Sequence, residues 1–330
     1  MTSPFFDFTT IISKVLFSRN SFDYPASGIW TGLLLAGLLA IAFSLRVYGL
    51  DWDRGFFFHP DERHILMVVG SLSWPENLRA LLSSQSPLNP HFFAYGSFPI
   101  YLLRLLSSLL ALWRAEWASI TQFYLLGRLL SAFFDTLTVY ATFLLAHKVY
   151  NRRVAILAAT FVTFTVLHIQ LAHFYTVDTL LTTVVLLAVN KAVDVARSGR
   201  LRDGALLGML FGVGLATKAS VLPLAVTVLV AWAASVWPMQ SKQSHVALKL
   251  RSVWARTKRG VLWTFALALL CFGLLQPYAL IDGYSFGQGV VQEIAMSQGW
   301  GDFPYTRQYV GTIPYLYQIR QILLFAMGPA

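Results

Sequence analysis

The sequence predicts an all-α membrane protein, a polytopic bundle of about seven transmembrane helices with further helices in its first external loop. The chain of 330 residues is 56% hydrophobic and only 12% charged, and its mean hydropathy is +0.60. A soluble domain normally carries about 25% charged residues. Long apolar runs also recur along the chain, and short basic clusters separate them. This alternation is typical of transmembrane helices joined by cytoplasmic loops.

The net charge of +10 does not indicate a nucleic-acid partner, because the basic residues lie in short clusters between apolar runs. The single cysteine, Cys271, lies inside an apolar run, so we expect neither a disulfide nor a cysteine-based metal site. The first apolar run is long enough to span a membrane and is followed by acidic residues. That order is not the pattern of a cleaved signal peptide.

The chain begins with an amphipathic lead, residues 1–28, which we expect to lie on the membrane surface. The membrane module occupies 29–330. Its first span is predicted at about 29–48, and a first external loop, residues 51–124, follows it. Prolines break this loop into short pieces, which indicates surface helices.

The apolar stretch 99–113 within that loop is open to two interpretations. It is shorter than the roughly twenty residues of a span, and it contains Arg104. If it lies flat in the interface, the later basic clusters at 148–153, 197–202 and 242–259 all fall on one face. We therefore predict a juxtamembrane helix there, on the extracytoplasmic side.

Six further spans are predicted from the remaining apolar runs. A basic loop between the last two has six lysine or arginine residues and no acid, which is usual for a cytoplasmic loop near anionic lipid. An external loop follows the last span. The spans are predicted at about 125–146, 154–171, 179–195, 205–217, 221–237 and 261–280, the basic loop at 238–260 and the external loop at 282–312.

A dense group of titratable residues, His59-Pro60-Asp61-Glu62-Arg63-His64, stands just after the first span. One interpretation is a helix N-terminus, with proline in the first turn and acids that complement the helix dipole. The other is a functional site, because ionisable groups beside a membrane are costly unless they are used. Both interpretations can hold together.

The predicted topology brings several charged residues to the extracytoplasmic face, where they indicate a polar cavity. Arg128 and Asp135 lie seven residues apart on one helix face, and they form either a structural pair or part of this site. Lys218 is either a snorkelling anchor or a site residue. The residues assigned to this face are Asp61, Glu62, His64, Asp178, Lys218 and Arg307.

Carboxylates beside cations at a lipid interface suit group transfer from an anionic lipid. A carboxylate can deprotonate an acceptor hydroxyl while a lysine or arginine neutralises the departing phosphate. Zinc is less favoured, because the histidines lack the regular helix spacing of a dedicated site. No metal site is assigned, although a divalent cation near Asp61 is left open.

Four short motifs follow one another along the chain. They are Asp61-Glu62-x-His64 after the first span, Phe174-Tyr175-Thr176-Val177-Asp178 before another, Ala216-Thr217-Lys218 after a glycine-bearing helix, and Pro304-Tyr305-Thr306-Arg307-Gln308-Tyr309. In this order they resemble the C-type glycosyltransferases, in particular the protein O-mannosyltransferases and the lipid A aminoarabinose transferases of bacteria. The resemblance covers about 29–320.

The resemblance implies inverting transfer of a sugar from a polyprenyl-phosphate donor to a hydroxyl of a protein, lipid or glycan. It implies the cytoplasmic membrane of a prokaryote, with the active site on the extracytoplasmic side. Asp61 would be the general base, supported by Glu62, and Asp178 a second acid. Lys218, Arg128 and Arg307 would bind the donor phosphate, and His64 and His173 would support the site. One departure is Gly96-Ser97-Phe98-Pro99, which lacks the lysine of a lysine-proline-proline element.

Two other functions stay open at this point. A non-catalytic subunit could keep the transferase fold and pack against partner membrane proteins. The further C-terminal spans of the resembling enzymes do not follow in these residues, which favours that alternative, whereas the Asp61-Glu62 pair opposes it. A transporter is less favoured because we find no internal repeat.

Overall fold

The computed structural model describes residues 25–236, 246–300, 304 and 306–327. All regular elements within these residues are helices, which confirms the predicted all-α class. The predicted amphipathic lead, apart from its last four residues, and the first part of the basic loop lie outside the described residues.

Fourteen α-helices follow one another in the described residues, together with short 3₁₀ turns at Ala115–Ala118, Ala219–Val221 and Arg307–Tyr309 and a π-helical turn at Ile322–Ala326. The α-helices are α1 (Pro25–Val47), α2 (Pro60–Ser71), α3 (Leu78–Leu81), α4 (Ser97–Ala111), α5 (Ile120–Val149), α6 (Arg152–Phe164), α7 (Val166–Leu171), α8 (Val177–Ser198), α9 (Leu201–Leu215), α10 (Leu224–Ala234), α11 (Val246–Leu275), α12 (Tyr278–Ile281), α13 (Gly283–Ser297) and α14 (Leu316–Gln321).

Four segments in the described residues are long and apolar enough to cross a membrane. They are Ile29–Val47 in α1, Ile120–Val149, Val177–Ser198 and Thr257–Leu275 in α11. Two shorter apolar helices, Ser97–Ala111 and Ala219–Ala234, accompany them. The protein is therefore a helical membrane protein, and the count of seven spans stays a prediction.

The predicted span 154–171 is interrupted at Thr165. α6 ends before this residue, whose backbone is extended with φ −64° and ψ 119°, and α7 begins directly after it. The Thr165 hydroxyl donates to the carbonyl oxygen of Phe161 at 2.8 Å. Threonine hydroxyls compete in this way with the helix ladder, so the stretch forms two short helices.

The second half of the predicted basic loop is helical. α11 begins at Val246 and extends for 30 residues. Between Val246 and Gly260 the sequence is rich in alanine, leucine, lysine and arginine and contains no proline. These residues favour helix. The basic loop, predicted to end at 260, therefore ends before Val246, where α11 begins.

α9 and α11 pack with their backbones almost in contact. A Cβ atom at Gly208 would overlap the carbonyl oxygen of Thr264, and one at Gly212 would overlap that of Ala268. The contacts advance by four residues along both helices, so α9 and α11 run parallel. Small residues permit this close approach between membrane helices.

α2 is held by one buried face. Ile65, Leu66 and Val69 are fully buried against α4 and α5, where they meet Leu103 and Phe123. This burial fixes the orientation of α2 about its axis. One side of its first turn therefore faces the protein interior and the other faces the surface. The first turn contains the acids of the candidate site.

Candidate active site

Asp61 and Glu62 occupy the first turn of α2, but they face different surroundings. Consecutive helix residues point about 100° apart. Glu62 is fully buried, whereas Asp61 is partly exposed. Pro60 stands at the helix start, where its missing N–H costs nothing. The pair predicted to act together is thus divided between the interior and an accessible surface.

Lys218 and Asp178 form an accessible ion pair. Lys218 Nζ donates to Asp178 Oδ1 at 3.0 Å, and the two side chains are 31% and 38% exposed. Asp178 lies in the first turn of α8, and Lys218 lies three residues after the end of α9. The start of α8 lies beside the end of α9. Asp178, the predicted second acid, and Lys218, the predicted phosphate ligand, are therefore in contact.

Tyr95 connects this ion pair with Asp61. Lys218 Nζ lies 5.4 Å from the centroid of the Tyr95 ring, and the Asp61 carboxylate is close enough to the Tyr95 hydroxyl to affect its pKa. Burial and the carboxylates of Asp61, Asp178 and Glu293 raise the pKa of Tyr95 above its ordinary value. Tyr95 therefore keeps its proton at neutral pH and acts as a hydrogen-bond donor.

A short backbone connection fixes Tyr95 against Lys218. The N–H of Gly96 donates to the carbonyl oxygen of Thr217 at 2.9 Å, and that of Phe98 donates to Ala216 at 3.0 Å. A Cβ atom at Gly96 would overlap the Ala216 carbonyl. Gly96 is therefore required for this approach, and it belongs to the segment Gly96-Ser97-Phe98-Pro99 that lacks the lysine of a lysine-proline-proline element.

Glu293 of α13 is a further member of the cluster. Burial raises its pKa, the nearby Asp61 carboxylate adds to the rise, and Lys218 opposes it. The sequence placed Glu293 in an external loop but gave no reason to join it to Asp61. We call Asp61, Tyr95, Asp178, Lys218 and Glu293 the acid-lysine cluster.

Two hydrogen bonds attach α12 and α13 to the first external loop. The Tyr278 hydroxyl donates to the carbonyl oxygen of Leu81 at 2.8 Å, and Asn89 Nδ2 donates to Asp282 Oδ2 at 2.9 Å. Asp282 also caps α13. These contacts hold α13, and with it Glu293, over the first loop.

Arg128 is fully buried and uses all of its donors inside the protein. Its guanidinium donates to Glu62 at two positions, both 2.8 Å, and to Asp53 at 2.9 and 2.7 Å. Nη1 also donates to the carbonyl oxygen of Leu50 at 2.7 Å. A guanidinium has five N–H groups, so none is left for a donor phosphate.

Glu62 is equally committed to this network. Its Oε1 atom also accepts the backbone N–H of Tyr175 at 2.9 Å, and the Tyr175 hydroxyl donates to the carbonyl oxygen of Pro99 at 2.6 Å. Glu62 and Arg128 thus bind each other and hold the first turn of α2 in place. The support of the base by Glu62 and the phosphate contact of Arg128 stay predictions. Asp53, which the sequence did not single out, is the third charged member.

Asp135 does not pair with Arg128. It binds Arg46, which is fully buried, and the ring of His168 at 2.6 Å. Seven residues of helix separate Arg128 and Asp135 by about 10 Å along the axis, too far for a direct pair. Each of them is neutralised by a residue from a different segment.

Three further residues are predicted for the site, His64, His173 and Arg307. His64 is exposed and its ring lies 4.4 Å from that of Phe92. His173 contacts the carbonyl oxygens of Ile169 and Tyr48 at 2.7 and 2.8 Å. Arg307 begins an exposed 3₁₀ turn, and its contact with a donor phosphate stays a prediction.

No group of three or more histidine, cysteine or acidic side chains in the described part of the chain is arranged to hold a metal ion. Lys218 is the cation that the acid-lysine cluster contains. A departing anion at this position would therefore meet an ammonium group.

One comparison identifies the matching family. Residues 124–272 match the family model described as dolichyl-phosphate-mannose-protein mannosyltransferase. Asp178 and Lys218 fall inside the matched segment and Asp61 lies before it. No curated protein matches the chain. The match agrees with the resemblance found in the sequence: residues 124–272 are similar to the mannosyltransferase-like C-type glycosyltransferases.

Proposed function

We propose that the protein transfers a sugar from a polyprenyl-phosphate donor to an acceptor hydroxyl on the extracytoplasmic face, with inversion at the anomeric carbon. The acid-lysine cluster is the observation that carries this proposal. It holds a partly exposed carboxylate, Asp61, and a partly exposed ammonium, Lys218, both near Tyr95. A base and an anion-stabilising cation are the two groups that such a transfer needs.

In the proposed reaction, the oxygen of the acceptor hydroxyl attacks the anomeric carbon, and Asp61 takes the proton of that hydroxyl. The new carbon–oxygen bond forms as the bond to the phosphate oxygen breaks. Lys218 stabilises the negative charge that develops on the departing polyprenyl phosphate. Asp178 holds the lysine in place at 3.0 Å. Attack from the face opposite the departing phosphate inverts the anomeric centre.

An apolar groove next to the start of α2 supports a lipid-linked donor. The groove has a volume of about 350 Å³ and is lined by Trp52, Ile169 and Phe174, among others. The ring of Phe174 in its wall lies 4.7 Å from that of His59, which precedes α2 and stands two residues before Asp61. A prenyl chain can lie against such a surface while its phosphate reaches Lys218.

The test is release of polyprenyl phosphate from a panel of polyprenyl-phosphate sugars, with a membrane extract as acceptor. We expect release with at least one donor and its loss in Asp61→Asn. Glu76→Gln is the matched control, because Glu76 is an exposed acid of the same loop and should leave release unchanged. We also expect release to persist with a chelator, because Lys218 supplies the positive charge. Loss with the chelator would instead support a divalent cation near Asp61.

The alternative is a non-catalytic membrane subunit with a transferase-like fold. Its support is that the matched segment omits the residues before 124, including Asp61. A folded protein that releases no polyprenyl phosphate from any donor, with Asp61→Asn indistinguishable from wild type, would favour this alternative. Co-purifying membrane proteins would then be the next measurement.

A further inference from the structure

A groove between α9 and α11 opens at the end of the bundle far from the acid-lysine cluster. Its volume is about 820 Å³. α8 connects the two ends, because it begins beside the cluster at Val177 and reaches the basic end of the bundle at Ser198. At 1.5 Å per residue this separation is about 30 Å, close to the thickness of a bilayer core. The groove thus faces the opposite leaflet.

Three cations line this groove: Arg202 from α9, and Lys258 and Arg259 from α11. All three are exposed. Among the residues that the structure describes, no hydrogen bond or ion pair engages their charged groups. The basic run 238–260 on the same side has no acid to neutralise them.

The acids nearest to this end of the bundle already have partners. Asp194 binds Lys148 and Lys191, each at 2.8 Å. Asp203, next to Arg202 in the chain, accepts the hydroxyl of Ser198 at 2.8 Å. Within the residues described, neither acid forms an ion pair with Arg202, Lys258 or Arg259, so these three cations can bind an external anion.

The walls of the groove are apolar. Leu201, Leu262 and Trp263 line it and are 36%, 59% and 46% exposed. The groove closes where Gly208 and Gly212 bring α9 against α11. Cations at the mouth and an apolar wall towards the membrane interior match a phosphate group with an attached acyl chain. Basic pockets between helices on the cytoplasmic side are known sites for anionic lipid headgroups.

We propose that this groove binds one anionic phospholipid of the inner leaflet. Its phosphate lies against Arg202, Lys258 and Arg259, and one acyl chain follows Trp263 and Leu262. This site is separate from the donor site, and its occupation does not depend on sugar transfer.

Trp263 offers a local probe of occupancy. The full-length protein, purified in phosphatidylcholine nanodiscs, is titrated with phosphatidylglycerol brominated on its acyl chains, since bromine quenches a tryptophan in contact with it. The chain has ten tryptophans, so the contribution of Trp263 is the difference between wild type and Trp263→Phe. Brominated phosphatidylcholine and inorganic phosphate serve as the two comparison ligands.

We expect saturable quenching of Trp263 by phosphatidylglycerol, at concentrations roughly tenfold or more below those for phosphatidylcholine. Arg202→Gln with Arg259→Gln should weaken the apparent affinity roughly thirtyfold, because each cation near the membrane surface contributes about fivefold. Arg153→Gln with Arg200→Gln removes the same charge from exposed positions on the same side and should change the affinity less than about threefold.

Equal quenching by both lipids would overturn the proposal, as would equal losses in the two double variants. Displacement of the lipid by inorganic phosphate would assign the groove to free phosphate and overturn the lipid assignment. Both double variants change exposed side chains. Their unfolding temperatures, measured in the same nanodiscs, identify any loss of lipid affinity that arises from misfolding. Lys258→Gln, measured alone, provides an independent variant with an expected loss of about fivefold.

Discussion

Lys218 and Asp178 meet at 3.0 Å although forty residues separate them in the chain. Each stands at the end of a helix, so the α8–α9 hairpin brings them together. Both side chains are about a third exposed, and an ion pair in such a position contributes only about 0–1 kcal/mol to stability. The pair therefore contributes little to the stability of the fold, and its main effect is to hold the Lys218 ammonium at an accessible position.

Lys218→Gln should lower kcat/KM for polyprenyl phosphate release by roughly 10²- to 10³-fold, as expected when a donor to a developing anion is lost. Asp178→Asn should cost less, roughly tenfold, because it frees the lysine without removing it. Release assays and an unfolding curve for each variant are the measurements. A Lys218→Gln protein with full activity and normal stability would contradict the assignment of this lysine.

Arg128→Met should destabilise the protein by about 3–5 kcal/mol, because it leaves Glu62 and Asp53 as buried, unpaired carboxylates. The free energy of unfolding, measured in detergent with increasing denaturant, tests this. Arg114→Met is the control, because Arg114 forms an exposed pair with Glu116 at 3.3 Å and should cost no more than about 1 kcal/mol. Equal effects of the two variants would argue against the buried network.

Gly96→Ala should lower activity by displacing Tyr95 from Lys218, because the new Cβ would overlap the Ala216 carbonyl. We expect a loss of roughly tenfold or more in kcat/KM, since small misplacements at a site have large effects on rate. Gly37→Ala should be silent, because nothing lies within 4 Å of a Cβ there. The prediction fails if both variants retain wild-type rates.

Stability should decrease as pH rises through the elevated pKa of Glu293. The ordinary pKa is 4.5, and burial raises it in the folded protein. The folded state then binds the proton more tightly than the unfolded state, so the contribution of Glu293 is complete below 4.5 and is lost at higher pH. Glu293→Gln should flatten this slope in a series of unfolding curves, whereas Glu76→Gln should retain it. An unchanged slope in Glu293→Gln would contradict this placement.

The helices were largely predictable from sequence because they depend on long apolar runs. The runs at 125–146 and 179–195 correspond to α5 and α8, each extended by several residues. The break at Thr165 was not predicted, since one threonine in an apolar run is compatible with a continuous helix. α11 was predicted to begin at 261 because charge was taken as a sign of a loop.

The candidate site was predictable only in part. Asp178 and Lys218 were predicted to lie on the same face, at helix ends, but their ion pair was not predicted. The partners of Arg128 could not be found from spacing, because Asp53 and Glu62 come from a loop and a helix start that only the tertiary fold brings to it. Glu293 belongs to a helix in the external loop, and no local pattern links it to Asp61.

The attachment of Tyr278 to Leu81, 197 residues earlier in the chain, bears on the biosynthesis of the protein. Synthesis at 5–20 residues per second separates these two residues by roughly 10–40 s. Asp61, Asp178 and Lys218 leave the ribosome before Tyr278 and Glu293. Asp61, Asp178 and Lys218 are therefore synthesised before Glu293 can join the cluster. During that interval the first external loop is not yet covered by α13 and is accessible to folding factors.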